Sequence, residues 1–126
     1  MKFSHLIASA ALLCAAAMAH ALDIKPFSAD ALAEAQKAGK PVALHFHADW
    51  CPTCRAQEKA LQTLKTEPGL DLIVLVANYD TEKALKQRFN VRGQSTFVVL
   101  KGEKETGRAV GETTAASIRT VLKTAL

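Results

Sequence analysis

Residues 70–77, LDLIVLVA, place a single charge among seven apolar side chains. A strand with one wet face would alternate polar and apolar residues, so a run apolar on both faces belongs in the middle of a sheet covered on each side by helices. The rest of the chain supplies those helices. Ser28 and Asp30 open an alanine-rich amphipathic stretch that Gly39 and Pro41 stop. Residues 42–47 read as a second strand. Residues 52–65 show helical spacing in Ala56, Ala60, Leu61 and Leu64 and are closed by Pro68 and Gly69. A short helix is expected over 80–88 with Asp80 as its cap, a hairpin from 96–101 and 106–110 around GEKE, and a closing helix over 113–126. Residues 23–27 offer a further short strand. Alternating helices and strands with short connections and no repeats imply one α/β domain, and 49% hydrophobic with 22% charged residues in 126 is enough for one buried core.

The first residues, MKFSHLIASAALLCAAAMAHA, join an early lysine to an apolar run over 6–19 and a small-x-small triplet, Ala19-His20-Ala21. This is the pattern of a secretory signal peptide cleaved after Ala21, leaving 22–126 as the mature domain. The run is shorter than the roughly 20 residues a membrane span needs. Cys14 lies inside it behind a bulky Leu13, which does not suit lipidation, and should leave with the leader. The net charge of +4 comes from lysines and arginines scattered among acids, without a basic stripe, so nucleic acid is not an expected partner.

Removal of Cys14 leaves Cys51 and Cys54, in ADWCPTCR, in a compartment where disulfides form and persist. They fall where a strand hands over to a helix. The first turn of a helix exposes unpaired N–H groups and a partial positive charge, favouring a thiolate on Cys51, with Pro52 suited to the first helical position. Cys54, one turn in, would be the shielded partner. A bridge across so short a loop removes only roughly 2 kcal/mol of chain entropy, which argues against a mere staple. A structural zinc site normally takes four ligands, and only His45 and His47, on one face of their strand, could add to the pair. A copper- or zinc-handling protein using the cysteines and a histidine is therefore the rival to a redox couple.

Ala48-Asp49-Trp50-Cys51-x-x-Cys54-Arg55, Val91-Arg92-Gly93 followed by Ser95-Thr96, and Gly111 together resemble the active-site motif and the two opposing loops of the thioredoxin superfamily, over nearly the whole mature chain. The resemblance implies a thioredoxin fold, a central mixed β-sheet flanked by helices on both faces. It implies Cys51 as nucleophile, Cys54 as resolving thiol, Trp50, Gln94, Ser95 and Gly111 facing the substrate, and no bound cofactor. The Gly-Lys-Pro-Val entry and the Ala-Asp-Trp-Cys run are similar to periplasmic members, particularly the C-terminal domain of the thiol:disulfide interchange protein DsbD. The expected activity is that of a periplasmic thiol-disulfide oxidoreductase. It would work as a monomer and a reductant on exported proteins bearing disulfides or oxidised thiols, and be recharged by a membrane-bound thiol reductant of the DsbD type.

Three positions depart from that pattern. Pro52-Thr53 replaces the Gly-Pro of thioredoxin, which leaves the direction of electron flow open. His45 stands where thioredoxin has a buried aspartate, and reads either as a catalytic proton carrier for Cys54 or as a packed histidine with one hydrogen bond; His47 reads as a polar lining residue. Ser95 replaces a cis-proline. A cis bond without proline costs about 2.5–4 kcal/mol, so a trans Gln94–Ser95 bond is expected, with a hydroxyl free to bond a client or the Cys51 sulfur.

Overall fold

The computed structural model describes residues 21–126; the expected leader up to His20, with Cys14, lies outside them. The elements run β1 (Asp23–Pro26), α1 (Ala29–Lys37), β2 (Pro41–His47), α2 (Pro52–Leu64), β3 (Ile73–Asn78), α3 (Lys83–Arg88), β4 (Thr96–Lys101), β5 (Lys104–Val110) and α4 (Ala115–Leu122), ending in a 3-10 turn over Lys123–Ala125. One five-stranded sheet has the order β1-β3-β2-β4-β5. β3 pairs in parallel with β1 and β2, whereas β4 is antiparallel to β2 and β5 to β4.

The period of two along β2 builds both halves of the core. Val42, Leu44 and Phe46 point to one face, where they meet Leu32 and Ala35 of α1 and Leu85 of α3. Ala43 points to the other, where Leu61 and Leu64 of α2 meet Ile118 and Leu122 of α4. β3 divides in the same way, Val74 to one face and Leu75 and Ala77 to the other, so the apolar run does lie inside a sheet covered on both sides.

Sequence expectation and structure part at several ends. β3 begins at Ile73; Leu70 and Leu72 are buried beneath α2 and α4 as core residues outside the strand. The hairpin turn is only Gly102-Glu103, because β5 already begins at Lys104. The third helix starts at Lys83 with Glu82 at its cap position and no side-chain capping bond, so Asp80 does not cap it. Ala56 is exposed, and the buried stripe of α2 is Cys54, Gln57, Ala60, Leu61 and Leu64.

Candidate active site

Cys51 ends the turn after β2 and is the N-cap of α2. A cap residue offers an acceptor to the unpaired amides of the first helical turn, and here the acceptor is sulfur: the Cys54 N–H donates to Cys51 Sγ at 3.2 Å. Pro52 occupies the first turn, where its missing N–H leaves nothing unpaired. Both sulfurs are free thiols and both cysteines are nearly enclosed, Cys51 at 2% and Cys54 at 0% exposure, with Ala48 and Tyr79 packed around them.

Ser95 faces the pair from the loop before β4. Its Oγ lies 3.2 Å from Cys51 Sγ and 3.1 Å from Cys54 Sγ. The Gln94–Ser95 bond is trans, and Ser95 takes φ = 62°, a left-handed conformation uncommon for a residue with a side chain. Three hydrogen bonds hold it there. Its N–H donates to Phe46 O at 2.9 Å, and its carbonyl accepts from the Gly111 N–H and from Gln57 Nε2, each at 3.0 Å. Gly111 thus serves the site through its backbone, at φ = 76°.

Gln57, which sequence reasoning passed over, is the centre of this network. Fully buried on α2, it donates both amide hydrogens, to Ser95 O and to Glu112 O, and its Oε1 lies 2.8 Å from His45 Nε2. With both hydrogens committed, the amide can only accept from His45, which fixes the proton on Nε2. His45 stacks on Phe97 with ring centroids 4.4 Å apart, and burial pushes its pKa down to about 4 against the opposing effect of its hydrogen bond to Gln57. The imidazole is therefore neutral at ordinary pH. Its hydrogen bond connects it toward the sulfurs through Gln57 and Ser95. The signal for Gln57 was present in the sequence: counted from Cys54 at helical spacing, it falls on the same stripe as Leu61 and Leu64.

The two thiols are driven apart. Burial pushes Cys51 up, but hydrogen bonds from the Cys54 thiol, the Ser95 hydroxyl and the backbone N–H groups of Cys54 and Thr53 outweigh it and bring its pKa below the ordinary thiol value. Burial raises Cys54, and its hydrogen bond to Cys51 adds to the rise, against a weaker pull from Ser95. The arrangement suits a thiolate at Cys51 and a thiol in reserve at Cys54.

Trp50 stands beside the pair, 58% exposed, its indole N–H donating to Asp80 Oδ2 at 2.8 Å. The carboxylate expected to cap a helix instead holds this ring. Gln94, half-buried, precedes Ser95 in the opposing loop. His47 lies on the His45 face, with ring centroids 5.6 Å apart. Its buried Nε2 makes no hydrogen bond, although Glu58 Oε2 is 3.5 Å away. Among the described residues, no group of three or more His, Cys, Asp and Glu side chains is arranged to hold a metal ion.

A mixed sheet between two pairs of helices, with a dithiol at the start of α2, defines the thioredoxin class of fold. The chain belongs to the thioredoxin family, whose model matches residues 24–124. It is 36% identical over 83 residues to a thiol:disulfide interchange protein TxlA homolog of Synechocystis, covering 64% of this chain and 44% of that protein. It is 31% identical over 80 residues to the H-type thioredoxin of Brassica oleracea, covering 64% of each. The chain thus spans less than two thirds of the length of both relatives. Among solved structures, Trxlp of Edwardsiella tarda superposes with a TM-score of 0.74 at 36% identity, covering 79% of this chain and 98% of that one.

Proposed function

We propose that this chain is an exported thiol-disulfide oxidoreductase that works in the periplasm as a reductant of other exported proteins. The observation that carries the reading is the paired environment of the sulfurs: Cys51 Sγ caps α2 and is favoured as a thiolate, while Cys54, fully enclosed, is held as a thiol. The Cys51 thiolate attacks a client disulfide and forms a mixed disulfide. Cys54 then attacks Cys51 Sγ, releases the reduced client, and leaves a Cys51–Cys54 disulfide. The client gains two electrons and the pair loses two, so a membrane-bound thiol reductant of the DsbD type must restore the dithiol. The apolar leader-like run at residues 6–19 and the likeness of the Gly-Lys-Pro-Val and Ala-Asp-Trp-Cys stretches to periplasmic members support the location and the donor.

In this reading Trp50, Gln94, Ser95 and Gly111 form the client-facing rim. His45 acts as a positioning residue, because a group pushed to about 4 is a weak base and its Nε2–H is occupied with Gln57. The deciding measurement is the Cys51/Cys54 potential against glutathione. A value near thioredoxin's about −270 mV fits a reductant, and one near about −120 mV would assign the protein to disulfide formation instead.

A further inference from the structure

We propose that the Ser95 hydroxyl is a shared hydrogen-bond donor that serves the Cys51 and Cys54 thiolates in turn, making it a catalytic residue for both halves of the exchange. The inference rests on the dithiol chemistry proposed above. A hydroxyl carries one hydrogen and two lone pairs. Ser95 Oγ is almost equidistant from the two sulfurs, at 3.2 and 3.1 Å, so a turn of the O–H bond redirects the hydrogen from one to the other without moving a heavy atom. Proline, expected at this position by family resemblance, has no such group.

The order of events follows from where negative charge resides. In the reduced protein the anion is on Cys51, and both the Ser95 hydroxyl and the Cys54 thiol donate to it. The Cys51 thiolate attacks R–S–S–R′, forming Cys51–S–S–R and releasing R′–S⁻. Cys51 Sγ is then neutral and no longer competes for the hydrogen. Cys54 loses its proton to solvent, the hydroxyl turns to the new thiolate, and that thiolate attacks Cys51 Sγ. The Cys51–S–R bond breaks, R–S⁻ leaves, and Ser95 ends with its own proton. Such a donor assists only if it is already in place, and the bonds from Ser95 to Phe46, Gly111 and Gln57 fix the backbone that carries it.

The titratable residues on the elements and loops that hold Ser95 and the cysteines include His45 of β2, neutral and hydrogen-bonded to Gln57; His47 on the same strand; Tyr79 after β3, packed against the cysteines; and Arg92 and Glu112 on the loops that carry Ser95 and Gly111. None of these side chains hydrogen-bonds either sulfur, which leaves Ser95 as the only neutral side-chain donor to both among the described residues.

The test is single-turnover reaction of the reduced protein with the aromatic disulfide dithiobis-nitrobenzoate, whose released thiolate is coloured. Attack by Cys51 gives a first phase and resolution by Cys54 a second, each followed from about pH 5 to about pH 9. Ser95→Gly removes the hydroxyl and suits the left-handed backbone; Ser95→Ala is the second variant, and near-ultraviolet circular dichroism checks folding of both. The expected result is a rise of about one unit in the apparent pKa of each phase, with resolution slowed about tenfold at pH 6. A folded variant in which only the first phase moves, or neither does, overturns the shared-donor role. A parent protein that shows no second phase and forms no Cys51–Cys54 disulfide would instead overturn the oxidoreductase reading on which it rests.

Discussion

Cys51 and Cys54 are separated by two residues and differ chemically because one is a helix cap and the other is inside the helix. Alkylation of the reduced protein near neutral pH should therefore modify Cys51 faster, by about tenfold or more, as mass spectrometry of the two labelled peptides will show. Cys54→Ser should accumulate mixed disulfides with clients, while Cys51→Ser should accumulate almost none; equal labelling and equal trapping would contradict the assignment. This pair was legible because C-x-x-C after a strand announces itself. Gln57 was not, since a glutamine inside an amphipathic helix looks like a solvent-facing residue until the stripe is counted from Cys54. Its burial matters energetically. Gln57→Leu fills the space but leaves His45 Nε2–H and Glu112 O without their partners and removes one of two donors to Ser95 O. Of these, the His45 Nε2–H is buried whereas Glu112 is exposed; an unpaired buried polar group costs about 1–3 kcal/mol, so denaturant unfolding should show a loss of about that size. A loss below about 0.5 kcal/mol would mean that water or a rotamer change satisfies these groups.

At the scale of elements, the order and type of nearly every strand and helix could be read from periodicity, and the misplaced boundaries have physical causes. Leu70 and Leu72 are apolar because α2 and α4 cover them, and hydrophobicity alone cannot separate that from pairing in β3. Asp80 has a capping residue's chemistry but is used by Trp50. The left-handed Ser95 conformation depends on partners brought from β2, α2 and the loop after β5, which no local pattern encodes. A second close approach is legible only in three dimensions, where β5 meets the C-terminal turn. Val99 pairs with Gly107 and Leu100 with Glu105, so Thr106 is an extra residue in the ladder, and its hydroxyl lies 3.0 Å from that of Thr124. A Cβ at Gly107 would sit 2.6 Å from Thr124 Oγ1 and 3.1 Å from a Val121 methyl. Gly107→Ala should thus destabilise by about 1–3 kcal/mol, the usual cost of overpacking. Thr124→Ala should recover part of that loss in the double variant, giving a favourable coupling energy in a double-mutant cycle. Strict additivity would show that the strand shifts to accept the methyl without involving Thr124.

Across the whole molecule, the same sheet face that supports α2 beneath the cysteines also buries an imidazole, which ties the stability of the fold to pH. His45 titrates near 6.5 when exposed and is pushed down to about 4 by burial in the native protein. Between these values the unfolded chain binds a proton that the native state refuses, so stability rises with pH across that interval and is lost as pH falls from 6.5 toward 4. The full effect is about 3 kcal/mol, a large part of the 5–15 kcal/mol typical of a domain, on the order of one group deciding acid tolerance. His45→Leu keeps an apolar contact with Phe97 and cannot titrate; it leaves Gln57 Oε1 unpaired, a cost that does not vary over this range. The parent should therefore exceed the variant most above pH 6.5, and the difference between their unfolding free energies should shrink by about 3 kcal/mol by pH 4. Urea unfolding of both reduced proteins at several pH values measures this directly. A difference that stays constant across the range would show that His45 accepts a proton within the fold, and would return it to candidacy as the proton carrier for Cys54.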